Sequence, residues 1–204
     1  MTFTLPKLYP LTDTRLSGLT HAEQVERLAA GGATIVQLRE KLASPRQFYD
    51  AAREAMRVAR ALGVRLIIND RVDIALAVGA DGVHLGQDDL PPRRARELVG
   101  PDRIVGYSTH NVEQALEANS TPVDYLAIGP VFQTTTKEKA DPVVGLELIG
   151  VLKSRLTKPL VAIGGITLET APAVIAAGAD SVAVISDLYA GNITERTREY
   201  LHRL

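Results

Sequence analysis

Two carboxylates and three basic side chains carry the chemistry this sequence is best equipped for: Asp70 and Asp89, with Arg39, Lys41 and Lys137. Carboxylates without a His or Cys cluster nearby favour a hard, oxygen-preferring ion such as Mg²⁺. That ion takes few protein ligands and completes its shell with water and phosphate oxygens. Arginine adds a planar fork and lysine a point charge, a pairing that suits a diphosphate. Gln37, Arg39 and Lys41 alternate along an extended segment and so project the same way. Each feature also has a plainer reading. Asp70 can cap a helix starting near Arg71, Asp89 can do the same before Pro91-Pro92, and the Gln37–Lys41 segment can be a solvated charged turn. Asp88 is as good a metal ligand by spacing as Asp89.

Further polar groups follow. Thr134, Thr135, Thr136 and Lys137 place three hydroxyls and a cation in one loop that lacks the glycines of a Walker loop. It reads as an anion-binding lid or as a polar surface turn. Gly164-Gly165 and Val184-Ile185-Ser186 resemble backbone cradles for a phosphate, because glycine lets the main chain approach an anion closely. His84 reads as a core histidine, His110 as a loop histidine without an identifiable partner, and His21 and His202 as surface residues. No Ser-His-Asp constellation and no zinc spacing appears.

Bulk properties narrow the field. The net charge of −1 gives no broad attraction to nucleic acid or an anionic membrane. Any anionic ligand must therefore be held by a few placed cations. The absence of cysteine excludes disulfides and thiol catalysis. Met1 to Asp13 holds one Lys and two prolines and no apolar core of signal-peptide length. No apolar run approaches the ~20 residues of a membrane span. A soluble cytoplasmic protein is expected, with small-molecule partners, no nucleic acid and no membrane. The sequence carries no signal for an oligomeric state.

These side chains need a frame. Eight short apolar runs recur: Leu8–Leu11, Thr34–Leu38, Leu66–Ile68, Gly82–Leu85, Ile104–Gly106, Tyr125–Ile128, Leu160–Ile163 and Ser181–Ile185. Most are continuously apolar, as parallel strands covered on both faces require. Helical stretches alternate with them. Thr20-His-Ala-Glu23 and Ser44-Pro-Arg-Gln47 read as capping boxes, and Ala51 to Leu62 ends at the stop Gly63. Val72–Val78, Pro92–Val99, Val112–Ala118, Leu146–Leu156, Thr170–Ala177 and Ile193–Leu204 complete the set. Gly32-Ala-Thr, Gly79-Ala-Asp, Pro122-Val-Asp and Gly178-Ala-Asp lead into every second strand. Eight βα units with an even/odd rhythm predict a single (β/α)₈ TIM barrel spanning residues 1–204, with an open doubly wound sheet as the alternative. In a barrel the candidate residues all follow strand ends and share one rim, where active sites lie.

The chain resembles the thiamine-phosphate synthase family through nearly its whole length. The matching segments are Val36-Gln-Leu-Arg-Glu-Lys41, Ile68-Asn-Asp-Arg71, Gly79-Ala-Asp-Gly-Val-His-Leu-Gly-Gln-Asp-Asp-Leu90, Gly106-Tyr-Ser-Thr-His110, Gly129-Pro-Val-Phe-Gln-Thr-Thr-Thr-Lys137, Gly145-Leu-Glu147, Ala162-Ile-Gly-Gly-Ile166 and Val184-Ile-Ser186. The resemblance implies a transferase that joins an aminomethylpyrimidine diphosphate to a thiazole phosphate and releases diphosphate. It implies that Gln37, Leu38, Arg39, Glu40, Lys41, Asn69, Ser108 and Lys137 hold the pyrimidine diphosphate. Thr134, Thr135, Thr136, Gly165, Ile185 and Ser186 would hold the thiazole phosphate. Asp70 and Asp89 would ligate Mg²⁺, which favours Asp89 over Asp88. Diphosphate departure would leave a pyrimidine cation, which the thiazole nitrogen attacks with its own lone pair, so no general base is required. Two rivals share the barrel. By resemblance, a thiazole tautomerase carries a histidine in the sixth loop, where this chain has Thr134 to Lys137. A non-catalytic phosphate-ligand regulator need not keep the carboxylates or the three cations.

Overall fold

Eight strands of four to six residues pair in parallel, each with its sequence neighbours, and the first closes onto the last: β1 Leu8–Thr12, β2 Ile35–Leu38, β3 Arg65–Asn69, β4 Gly82–Leu85, β5 Ile104–Thr109, β6 Tyr125–Ile128, β7 Leu160–Ile163 and β8 Ser181–Val184. Leu8 stands opposite Val182 and Leu11 opposite Gln37, which seals the ring. This is a (β/α)₈ TIM barrel. The structure, a computed structural model, describes residues 4–134 and 141–204.

Nine α-helices surround the ring among the described residues: α1 Thr14–Ser17, α2 His21–Ala30, α3 Pro45–Leu62, α4 Val72–Val78, α5 Pro92–Val99, α6 Val112–Asn119, α7 Gly145–Lys153, α8 Ala171–Ala176 and α9 Ile193–Arg203. Both expected capping boxes form, Thr20 with Glu23 and Ser44 with Gln47. Gly63 takes the left-handed conformation that stops α3, at φ 68°. None of these helices is long and apolar enough to cross a membrane.

Strand alternation sorts side chains into two cores. Tyr9, Ile35, Ile67, Tyr125, Val161 and Ala183 pack inside the ring. Val36, Leu38, Leu66, Ile68 and Val182 pack outward under the helices. Gln37 therefore faces inward with Ile35, and Leu38 faces the helices.

The even/odd rhythm has a physical cause. The aspartate that leads into each of β4, β6 and β8 accepts the first free backbone N–H of the preceding odd strand: Asp81 from Leu66, Asp124 from Val105 and Asp180 from Leu160, at 2.7–2.8 Å. Asp81→Ala strands the Leu66 N–H, at a cost of ~1–3 kcal/mol. Asp81→Asn keeps an acceptor oxygen and loses much less. Urea denaturation midpoints of the two variants check this; equal losses would contradict the hydrogen-bond account.

Three expectations need correction. His21 is buried, at 2% exposure, with Nδ1 2.7 Å from Thr12 Oγ1 and Nε2 3.4 Å from Glu40. As the first residue of α2 it leans back over the preceding turn, toward the β1 end. The fifth strand does not stop at Gly106 but runs to Thr109, so Ser108 lies on it. A 3₁₀ turn over Ser186–Tyr189 follows β8, where no element was expected.

Candidate active site

A cavity of about 490 Å³ opens over the C-terminal strand ends, and every strand or the loop after it contributes to the wall. Gln37, Arg39, Lys41, Asn69, Asp70, Asp89, Ser108, Thr134, Gly165, Ile185 and Ser186 all line it, so residues more than a hundred positions apart meet there. Thr135, Thr136 and Lys137 lie outside the described residues.

Two residues of the Gln37–Lys41 segment turn their side chains elsewhere. Leu38 packs under the helices. The Glu40 carboxylate accepts hydrogen bonds from the Leu42 and Ala43 backbone at 2.8 and 3.2 Å and faces His21. Glu40 thus shapes the turn that carries Arg39 and Lys41. Arg39 is oriented from behind, since its Nη1 donates to Asp13 Oδ2 at 3.3 Å while Asp13 Oδ1 caps α1.

Asp70 and Asp89 do not serve as helix caps. α4 is preceded by Arg71 and α5 by Pro91, and neither helix has a side-chain cap. Asp70 is the one non-glycine residue at positive φ among those described, at 64°. Its N–H donates to the His84 carbonyl at 2.8 Å, which turns the chain sharply at the end of β3. Such sparsely populated backbone is typical of functional sites. Its carboxylate meets the Lys41 ammonium on one side and the Asp89 carboxyl on the other. Asp89 also accepts the Gly86 N–H at 2.7 Å.

Burial pushes the Asp89 carboxyl up to about 6; the Asp70 charge adds to this, while the Gly86 hydrogen bond and Lys41 oppose it. Two adjoining carboxylates with a single lysine beside them hold surplus negative charge in a half-buried place. That fits a divalent cation with few protein ligands. No group of three or more His, Cys, Asp or Glu side chains suited to a metal occurs among the described residues. The remaining ligands would come from phosphate and water.

This arrangement fixes the sign of a pH effect. An unfolded Asp titrates near ~3.9. Between that value and about 6 the folded, metal-free chain binds the extra proton. The Asp89 contribution to stability is therefore lost as pH rises through that window. Asp89→Asn should raise the melting temperature in chelator at pH 7.5, and its advantage should shrink toward pH 4. A pH-independent difference would sink this account.

Asn69 supplies a second sign of a ligand. It is 7% exposed, and its buried Nδ2 has no hydrogen-bond partner. A buried donor left unmade costs ~1–3 kcal/mol, so the site is short of one acceptor at this point. Deeper in, burial lowers the His84 imidazole to about 4, so it is neutral at pH 7.

The glycine pair has a packing role. Gly164 and Gly165 sit at φ 101° and 65°; a Cβ on Gly164 would meet Pro130 Cβ at 2.5 Å and one on Gly165 the Gln133 carbonyl at 2.4 Å. Only glycine lets the β7 loop run this close to the β6 loop. Asp187, next to Ser186, accepts the Leu168 N–H at 3.1 Å and a two-pronged contact from Arg196 at 2.9–3.0 Å. The loops after β7 and β8 are thereby tied together.

Gln87 and His110 follow strand ends, as the barrel reading places them, but sequence reasoning assigned them no role, and it missed Asp141 altogether. Gln87 Nε2 reaches the Ser108 carbonyl. His110 Nδ1 lies 2.6 Å from the Gly129 carbonyl and 3.5 Å from Asp141, and both His110 and Asp141 line the cavity. Those partners sit on a neighbouring strand or loop, and no local spacing announces them.

The thiamine monophosphate synthase family model matches residues 8–188. The thiamine-phosphate synthase of Koribacter versatilis is 49% identical, with 98% of this chain and 96% of that protein covered. That of Chloroflexus aurantiacus is 47% identical over 95% of this chain and 90% of its own. Among solved structures, thiamine phosphate pyrophosphorylase from Pyrococcus furiosus superimposes with a TM-score of 0.87 at 38% identity, covering 97% of this chain and 94% of that one.

Proposed function

The chain belongs to the thiamine monophosphate synthase family, and we propose a role for each part of its cavity in making thiamine phosphate. It is a transferase that joins an aminomethylpyrimidine diphosphate to a thiazole phosphate and releases diphosphate. The observation that carries the assignment of roles is the facing pair Asp70 and Asp89, flanked by Lys41 at a rim that Arg39 also lines.

Asp70 and Asp89 would hold Mg²⁺, which supplies charge neutralisation for a departing diphosphate. Arg39 and Lys41 grip the diphosphate oxygens from the β2 side, and Lys137 from the sixth loop. Asn69 gives its unpaired amide N–H to the same substrate, and Ser108 and Gln37 hold it from the cavity floor. Thr134, Thr135, Thr136, Gly165, Ile185 and Ser186 hold the thiazole phosphate on the opposite side. The chain's residues bind the two substrates in line and stabilise the leaving group. The thiazole nitrogen attacks with a lone pair it already has. This agrees with a floor histidine that is neutral and fully engaged in hydrogen bonds.

The test is direct. Purified protein given both substrates and Mg²⁺ should form thiamine phosphate and diphosphate in equal amounts, and chelator should abolish both. Formation of neither product, with both substrates shown to bind, would favour a binding protein over a transferase.

A further inference from the structure

We propose that His84 is a positioning residue: through a one-way chain of buried hydrogen bonds it fixes the Ser108 hydroxyl as a donor into the cavity. The inference rests on the reading of that cavity as the substrate site. The chain crosses the barrel interior. Gln37 Nε2 lies 3.2 Å from the Tyr9 hydroxyl, Tyr9 2.9 Å from the Tyr125 hydroxyl, Tyr125 2.9 Å from His84 Nδ1, and His84 Nε2 2.8 Å from Ser108 Oγ. Both ends, Gln37 and Ser108, line the cavity.

Counting protons gives the direction. The Gln37 amide nitrogen can only donate, so Tyr9 accepts there. Tyr9 is 1% exposed, and its one further partner among the described residues is Tyr125. The Tyr9 proton must therefore go to Tyr125, or remain buried and unpaired, which native structures avoid. In the proposed polarity Tyr125 hands its own proton on to His84 Nδ1, 2.9 Å away. With Nδ1 accepting, the imidazole carries its hydrogen on Nε2 and donates it to Ser108 Oγ. The Ser108 proton is left for an acceptor in the cavity, a phosphate oxygen or a ring nitrogen of the pyrimidine substrate. The reverse polarity would make Ser108 spend its proton on His84 and face the substrate as an acceptor only.

The backbone is cut to fit this chain. A Cβ on Gly106 would lie 2.3 Å from the Tyr125 hydroxyl and 2.6 Å from His84 Nδ1, so a glycine on β5 makes room for that hydrogen bond. The His84 ring stacks on Tyr125 at 5.5 Å with 23° between planes, and Tyr9 meets Tyr125 edge-on at 5.8 Å. Rings held this way keep the hydrogen-bonding atoms in line.

Nitrogen NMR of the unmodified, ¹⁵N-histidine-labelled protein reads the chain without substrate; the His84 signals are those missing from the His84→Gln spectrum. The expected result is a neutral ring with its proton on Nε2. A proton on Nδ1, or on both nitrogens at pH 7, overturns the proposal. Kinetics supply a second arm. His84→Asn can accept from Tyr125 but does not reach Ser108, and should raise KM for the pyrimidine substrate about 5- to 10-fold, as for one lost hydrogen bond. Combined with Ser108→Ala it should add little. His84→Gln, whose amide nitrogen reaches the Nε2 position, should recover most of the loss. Equal, additive losses in both variants would mean a purely structural role and overturn the proposal. A protein that bound or converted neither substrate would refute the assignment of the cavity, yet leave the ring tautomer measurable.

Discussion

Replacing Asp89 with alanine is expected to lower turnover by ~10²-fold or more, the scale of removing one group that stabilises transition-state charge, while the barrel stays folded. Apart from its contact with Asp70, its structural task among the described residues is to accept the Gly86 N–H within its own loop, and α5 begins without its help. The same carboxyl, pushed up to about 6 by burial and by Asp70, is a poor resident of the metal-free site. A group that neither caps a helix nor ionises comfortably suits the proposed cation site. Asp89→Asn separates charge from packing, because its amide oxygen still accepts from Gly86 but carries no charge. It should lose nearly as much activity as the alanine variant, and raised Mg²⁺ should restore part of it. Asp88 is exposed at the cavity edge, so Asp88→Ala should change turnover far less. Near-normal single-turnover rates in Asp89→Ala would remove the metal role, and a larger loss in Asp88→Ala would move it one residue back.

The frame was legible because its signals are local. Capping boxes at Thr20 and Ser44, the stop at Gly63 and the aspartates before β4, β6 and β8 each act within their own loop or on the adjacent strand. The rim was legible for a topological reason: in a closed parallel ring every residue just past a strand lands on one face. Asp70 and Asp89 meet because β3 and β4 are neighbours, with Asn69 opposite His84.

The features that escaped depend on long-range partners. His21 looked like a surface residue because nothing beside it in sequence shows that Thr12 and Glu40 cover it. Leu38 and Glu40 joined the site only through the family resemblance; the alternation that sends Gln37, Arg39 and Lys41 one way sends the residues between them the other. The fifth strand seemed to end at Gly106 because Tyr107, Ser108 and Thr109 do not look like a buried run. They are strand nonetheless, since the upper barrel interior is polar. Gln37, His84 and Ser108 satisfy one another there through Tyr9 and Tyr125.

The two lysines at the rim should fail differently, and the difference tests the division of labour. Lys41 pairs with Asp70 beside Asp89, so in the proposed site it would act on the metal pair as well as on the leaving group. Removing it leaves the carboxylates more negative. Lys41→Ala should lower turnover by ~10²-fold, yet bind Mg²⁺ in the free protein no more weakly than before. Lys137 comes from the sixth loop, outside the described residues, and its proposed task is the departing diphosphate alone. Lys137→Ala should therefore reduce the single-turnover rate by ~10²-fold with Mg²⁺ affinity unchanged, as for a donor realised mainly in the transition state. Calorimetric Mg²⁺ titration beside rapid-quench kinetics measures both quantities on the same variants. Weaker metal binding in Lys41→Ala would contradict the electrostatic account of the Asp70–Asp89 pair. An unaltered single-turnover rate in Lys137→Ala would leave the leaving group to Arg39, Lys41 and the metal.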